Sequence, residues 1–301
     1  MSAEKPRATR FRNGRSNLIS MRLSWMALCG ACALLAGSSW MAEIADWRAK
    51  HEAGLKSPNG WLSVAGLFWL HEGANVLGSD PHSDVVLPEV GPKRAGVLNF
   101  AAGKVSFEPA DKNFPGKRGV LRSDAEGRLD LLEISGVQLT VIRRGERTGV
   151  RMRDPNAATR RNFTGLHWFA ASETWRIKGK WTAYTEPKTI AITNVLGMTD
   201  QEPSPGFAEF TVGGRKLRLE PVLEDNHLFF IFKDQTSGKA TYGAGRFLYA
   251  DMPKDGEVIL DFNKAENPPC AFTAFATCPL PPRQNSLGAA IEAGEMNFGH
   301  R

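Results

Sequence analysis

Between Asp261 and Pro282 the chain reads Asp-Phe-Asn-Lys-Ala-Glu-Asn-Pro-Pro-Cys-Ala-Phe-Thr-Ala-Phe-Ala-Thr-Cys-Pro-Leu-Pro-Pro, which places Pro268, Pro269, Pro279, Pro281 and Pro282 in one short stretch. Each proline fixes φ and removes an amide donor, so this stretch can be neither a helix nor a central strand. It predicts a rigid, irregular coil whose stiffness serves shape. Cys270 and Cys278 lie inside it.

The chain before that coil is written as short apolar runs separated by turn residues. Residues 61–69, 74–78, 85–87, 96–100, 104–108, 129–134, 137–143 and 148–151 have the length and spacing of strands in a sandwich. Asp154-Pro155-Asn156 breaks the pattern, and a second β-rich block follows, with strands over 175–180, 189–196, 208–212, 216–220, 228–232, 240–250 and 258–262. Gly213-Gly214 reads as a hairpin turn between two of them. Trp47 to Leu55 carries its apolar residues at helical spacing and is ended by Ser57-Pro58-Asn59-Gly60. The fold expected is all-β: an N-terminal β-sandwich over 61–155, then an antiparallel β-barrel or sandwich over 163–294. Residues 43–60 form a short helix and linker, and 295–301 a tail.

The formal charge is +6, but Lys5, Arg7, Arg10, Arg12, Arg15 and Arg22 stand against Glu4 alone in the first 22 residues, so five of the six charges precede the β-rich part. A nucleic-acid partner is excluded on that distribution, because the electrostatic footprint would have to sit on the folded part. After Arg22 comes an uncharged apolar run, Leu23 to Gly37, closed by the small residues Ala36-Gly37-Ser38. This is the grammar of a secretory signal over residues 1–42. Met21 opens a compact version of the same signal, which makes 1–20 a candidate over-extended start. Two other readings stay open: a membrane anchor, since Leu23 to Ala42 is about the twenty uncharged residues a bilayer span needs, and a lipoprotein acylated at Cys32. The expected location is periplasmic or otherwise extracytoplasmic, with membrane contact through the N-terminal segment alone.

Of the four cysteines, Cys29 and Cys32 fall in this leader, leaving Cys270 and Cys278 for an oxidising compartment. A disulfide between them is expected. A metal site and two inert buried thiols are the alternatives, and the metal site lacks further ligands nearby. The six histidines show no His-x-His and no His-Glu-x-x-His, and no Gly-x-Ser-x-Gly elbow accompanies them. Gly243-Ala244-Gly245 lies between strands and lacks the helix a phosphate loop needs. No metal and no cofactor is implied.

Gly73 to Pro88, a strand ending in glycine, an aspartate-bearing turn and a second strand, resembles the opening of a forkhead-associated domain. Ser79 stands where a phosphothreonine reader of that family needs a basic residue, so the resemblance implies a sandwich without the phosphopeptide function. A longer resemblance runs from Trp47 to Gly294. Residues 60–73 (Gly-Trp-Leu-Ser-Val-Ala-Gly-Leu-Phe-Trp-Leu-His-Glu-Gly), Arg161-Asn162-Phe163-Thr164-Gly165, residues 232–238, Thr241-Tyr242-Gly243-Ala244-Gly245-Arg246, Asp261-Phe262-Asn263, Asn267-Pro268-Pro269-Cys270 and Cys278-Pro279-Leu280-Pro281-Pro282 are similar to the bacterial family catalogued as domain of unknown function 1684. That resemblance implies no activity, ligand or catalytic residue.

A site must therefore be nominated on chemistry. Asp234, Tyr242, Arg246, Asp261, Asn263 and Asn267 are polar groups near strand ends of the second block, and an arginine facing carboxylates suits a pocket. The competing reading is a buried network that pins the proline coil to the sheet. The function expected is binding of a small polar ligand or an envelope component by the C-terminal domain. The alternatives are a hydrolase, with Asp234 or Asp261 as general base and Arg246 stabilising negative charge, and an interaction module built on the N-terminal sandwich.

Overall fold

The computed structural model describes residues 39–299. The chain divides into two units, Met1–Asp46 and Trp47–Arg301. Of the first, residues 39–46 are described and are helical. The expected leader falls mostly on 1–38, outside the described residues. No helix among the described residues is long and apolar enough to cross a membrane.

The second unit opens with helical residues 47–56 (α1), where Arg48, His51, Glu52 and Leu55 turn inward at the spacing of one helix face. The turn at 57–60 closes it, with Gly60 N–H donating to Ser57 C=O at 2.9 Å. Two sheets follow. The first is antiparallel, with order β1 (Val64–Trp69), β9 (Arg147–Arg153), β8 (Val137–Arg144) and β7 (Leu131–Ile134). The second has the order β3 (Val85–Val86), β2 (Gly73–Gly78), β4 (Gly96–Ala101), β5 (Lys104–Pro109) and β6 (Gly119–Leu121). Period-two alternation sends Leu77, Leu98 and Phe107 from one sheet and Leu139, Val141, Val150 and Met152 from the other into a shared core. This is the expected sandwich.

Two further antiparallel sheets form the C-terminal half. One is β12 (Arg215–Leu219), β11 (Thr199–Val212), β10 (Arg176–Thr193) and β16 (Glu257–Asp261); the other is β13 (Val222–Glu224), β14 (His227–Phe232) and β15 (Arg246–Ala250). Central β14 is buried on both faces. Leu228, Phe230 and Phe232 enter a core with Ala208, Phe210, Leu260 and Phe262. On the other face Phe229 and Ile231 pack with Ile190, Ile192, Ala276 and Cys278. The long β10–β11 hairpin serves both cores because its register breaks between Ala183 and Lys188.

The differences from expectation have local causes. The runs 175–180 and 189–196 belong to one strand, β10, which carries Pro187 through its irregular stretch and ends at Thr193. The first half of β11 was unreadable because Pro203, Pro205 and Gly206 look like breakers, yet Pro203 simply pairs opposite Thr189. Residues 240–245 are a loop preceding β15. After Asp261 the proline coil forms no strand; short 3-10 turns lie at Phe262–Lys264, Pro269–Ala271 and, just past it, Arg283–Asn285, and isolated bridges join Glu266 to Phe247 and Pro279 to Asn194.

Truncating Phe230, which has no exposed surface at the centre of β14, should cost about 3–5 kcal/mol. Val120→Ala on the exposed edge should stay within about 0.5 kcal/mol of wild type. Urea unfolding of both variants checks this, and a Phe230→Ala midpoint equal to that of Val120→Ala would show that β14 is not the core.

Candidate functional site

Arg246 opens β15 opposite Phe232, and the inward side of that position leaves it no exposed surface. One Nη donates to Asp234 Oδ2 at 3.0 Å and to Ile291 C=O at 3.0 Å; the other donates to Ala293 C=O. Asp234 Oδ1 accepts from Thr236 N–H at 2.7 Å, Thr236 O–H at 2.5 Å and Ile291 N–H at 3.4 Å. Burial holds the guanidinium below its ordinary pKa, against the pull of Asp234. Gly294, at φ +77°, completes the clamp: a Cβ there would meet Ala265 O at 2.4 Å, Phe262 O at 2.7 Å and Arg246 Nη2 at 2.8 Å. The pair fastens residues 291–294 to the sheet.

The other nominated residues serve separate junctions. Asp261 ends β16 and accepts from the Asn263 backbone at 3.2 Å and its Nδ2 at 2.8 Å. Asn263 in turn exchanges two 2.9 Å bonds with the backbone of Ser172, as a strand partner would. Asn267 gives its N–H and Nδ2 to Glu295 at 3.0 and 2.7 Å. Tyr242 O–H donates to Cys270 C=O at 3.1 Å. The six residues are thus divided among four junctions and do not converge on one centre.

Sequence reading missed the group around Glu295. This carboxylate is fully buried, and burial raises its pKa against the opposing pull of His51 and Asn267. His51 from α1 bridges two acids, with Nδ1 3.1 Å from Glu266 and Nε2 3.4 Å from Glu295. Its ring stacks on Trp47 at 5.3 Å and meets the edge of Trp168 at 5.9 Å. Burial alone would lower the His51 pKa, but the bonds to Glu266 and Glu295 carry it up to about 10. Nothing in the sequence joins a helix at residue 51 to a coil at residue 295.

Cys270 and Cys278 are free thiols in the structure, not the expected disulfide. The 3-10 turn at Pro269–Ala271 aims the Cys270 N–H at Cys278 Sγ, 3.1 Å away, so that sulfur acts as an acceptor. Among the described residues no three His, Cys, Asp or Glu side chains group to hold a metal ion.

An open cavity of about 250 Å³ lies on the second face of β14, away from the Arg246 clamp. Ile192, Val222, Phe229 and Ile231 make an apolar floor, and Thr277 and Pro279 bring the cysteine coil to its wall. Asp200, Glu202 and Glu224 stand on the rim with Arg144. Arg144 is already paired with Asp124 at 2.8 Å, while no ion pair among the described residues holds Asp200 or Glu202. The rim is therefore an excess of negative charge over an apolar floor.

A family model described as protein of unknown function (DUF1684) matches residues 161–296. That span leaves out Gly73 to Pro88, so the forkhead-associated resemblance gains nothing from it. Among solved structures the chain is similar to an uncharacterized protein of Haloarcula marismortui determined by solution NMR, at 30% identity and a TM-score of 0.40, covering 47% of this chain and 81% of that one. No curated protein matches the chain.

Two outcomes are expected from these junctions. Arg246→Ala strands Asp234 in a dry interior and should destabilise the protein by about 3–5 kcal/mol; an unchanged urea midpoint would remove the clamp. His51 has a folded pKa raised from 6.5 to about 10, so its contribution is complete below about 6.5 and is lost as pH rises through about 10. The raised pKa of Glu295 has the same sign, because the folded state again holds the extra proton. The stability difference between wild type and His51→Gln should therefore shrink on going from pH 6 to 10, by on the order of a few kcal/mol. A pH-independent difference in denaturant titrations would refute the triad.

Proposed function

We propose that this chain, whose residues 161–296 match the family model described as protein of unknown function (DUF1684), a match that brings no activity with it, is an exported protein that binds a small amphipathic cation in the cavity beneath β14. The observation that carries this reading is the contrast within the cavity: an apolar floor of Ile192, Phe229 and Ile231 beneath the carboxylates Asp200 and Glu202, which no ion pair among the described residues holds. Few convergent polar groups over an apolar surface are the usual composition of a ligand site. The volume of about 250 Å³ is just under the range of about 300–1,000 Å³ that holds drug-sized ligands, and suits a smaller molecule. Support for export comes from the leader alone, with its basic start, apolar run and small-residue site.

The Arg246 network is a poor alternative for chemistry. Both oxygens of Asp234 are engaged in a site without solvent, so it has no free base to offer.

Thermal unfolding of the purified protein with tyramine, hexylamine, putrescine, succinate and phenylacetate tests the reading. The apolar amines should raise the melting temperature in a concentration-dependent way, by the equivalent of about 2.7 kcal/mol at a hundredfold excess over Kd. The carboxylates should not, and Asp200→Asn with Glu202→Gln should abolish the effect. Equal stabilisation of wild type and that double variant, or none by any amine, overturns it.

A further inference from the structure

A second buried arginine, Arg151, has no ion-paired acid among the described residues. Alternation along β9 sends Val150 and Met152 into the sandwich core and Arg151 and Arg153 out of the opposite face. Arg151 is only 5% exposed, and its Nε and Nη2 have no hydrogen-bond partner; Arg153 Nε lacks one too. Its guanidinium lies over Trp61 at 5.1 Å. Arg144, on the same face, takes Asp124 for itself at 2.8 Å. Burial, then repulsion from Arg144 and Arg153, brings Arg151 down to about 10. An unpaired buried charge is costly, so this position favours any neighbour that can become an anion.

That neighbour is the dithiol. Cys278 is buried in a cluster against which Cys270 and Trp61 pack, Trp61 being the ring under the Arg151 guanidinium, and Arg144 Nε donates to Thr277 Oγ1 beside it at 2.9 Å. Cys270, partly exposed, points its backbone N–H at the Cys278 sulfur, 3.1 Å away. Tyr242 closes the Cys270 side. The S–H of Cys278 and the tyrosine hydroxyl hold Cys270 down to about 7, while Cys278 is pushed up because it keeps the shared proton. Tyr242 faces the pair, and Arg151 lies over Trp61, which packs against the same cluster, with Arg144, Arg153 and Asp124 around the arginine. One negative charge then belongs to the two sulfurs together.

We propose that Cys270 and Cys278, with Arg151 as counter-ion, form a reactive thiolate site that exchanges reversibly with low-molecular-weight disulfides. This is a working couple, not the permanent cross-link the sequence suggests, and it does not depend on the cavity being a binding site. The Cys270 thiolate attacks one sulfur of the oxidant RSSR; its S–S bond breaks, and RS⁻ leaves and takes a proton from water. Cys278 gives its proton to water and attacks the Cys270 sulfur of the mixed disulfide, releasing a second RS⁻, which is protonated in turn. The protein, starting as one thiolate and one thiol, loses one proton and two electrons, and RSSR, with that proton and one more from water, becomes two RSH.

The test uses the full chain, reduced, then equilibrated in buffers of reduced and oxidised glutathione and read by intact mass and iodoacetamide alkylation. An intramolecular disulfide should appear and be reversed by dithiothreitol, and Cys278→Ser should instead trap glutathione on Cys270. Alkylation of Cys270 in the reduced protein should follow a midpoint near 7. Arg151→Gln should move that midpoint upward and slow alkylation at neutral pH several-fold, while Arg151→Lys should retain most of the rate. If Arg151→Gln does not fold, the lysine variant and Cys278→Ser carry the test. The proposal is overturned if the native protein keeps both thiols in oxidised glutathione. It is equally overturned if Cys270 alkylates with the midpoint of an ordinary thiol, about 8.5, in wild type.

Discussion

The contact on which the C-terminal half depends is the one between Arg246 and main-chain carbonyls. A guanidinium with no exposed surface must satisfy its donors inside the protein, and Asp234 supplies only one of the acceptors. The rest come from Ile291 and Ala293, so a coil with no strand of its own is compelled to pass beneath β15. Its path then fixes everything downstream. Gly294 takes a left-handed turn where a Cβ would strike two carbonyls, and Glu295 emerges against Asn267 and His51. One arginine thereby ties a sheet, a coil and the helix at the start of this unit into a continuous polar chain.

The proline coil is fastened by the opposite means, shape and not charge. Gly245, at φ +132°, leaves room for Pro281, whose Cγ would lie 2.5 Å from a Cβ at that position. Pro279 bridges Asn194, and Cys278 and Ala276 pack on the outer face of β14. Because β14 is covered on one face by a closed core and on the other by this stiff coil, the coil cannot follow the sheet closely everywhere. The cavity is what remains between Phe229, Ile231 and Thr277. The stiffness read from the prolines thus has a structural outcome: it holds a space open beside a fully buried strand.

How much of this was legible depends on the range of the interaction. The Gly213-Gly214 hairpin, the alternating strands of the sandwich and the strandless coil are local properties, written in φ preferences and period-two patterns, and the structure carries all three. Strand β10 was read as two because Pro187 looks like a terminator, whereas a register break lets the strand absorb it. The six nominated polar residues were grouped by their nearness to strand ends, which says nothing about the face each one takes. Asp261 and Asn263 turn toward Ser172, Asn267 toward Glu295 and Tyr242 toward Cys270, so residue types alone had suggested a convergence that the backbone does not make. His51 and Glu295 were invisible because their pairing is set by tertiary packing across most of the chain.

Two buried arginines separate structure from chemistry in this molecule. Arg246 has a carboxylate and two carbonyls; only its Nε is left over, and the whole arrangement is closed to solvent. A network so nearly satisfied stabilises and does nothing else. Arg151 is held as firmly, by Trp61 and by the central position of β9, yet two of its nitrogens are idle and its charged neighbours Arg144 and Arg153 repel it. Folded proteins break the rule of satisfied buried charge chiefly where function compensates. Trp61, beneath Arg151, packs against the cluster that holds Cys278 and Cys270, and the anion proposed for that pair is the charge the arginine lacks. The unsatisfied cation and the dithiol each look like a defect taken alone; together each supplies what the other lacks.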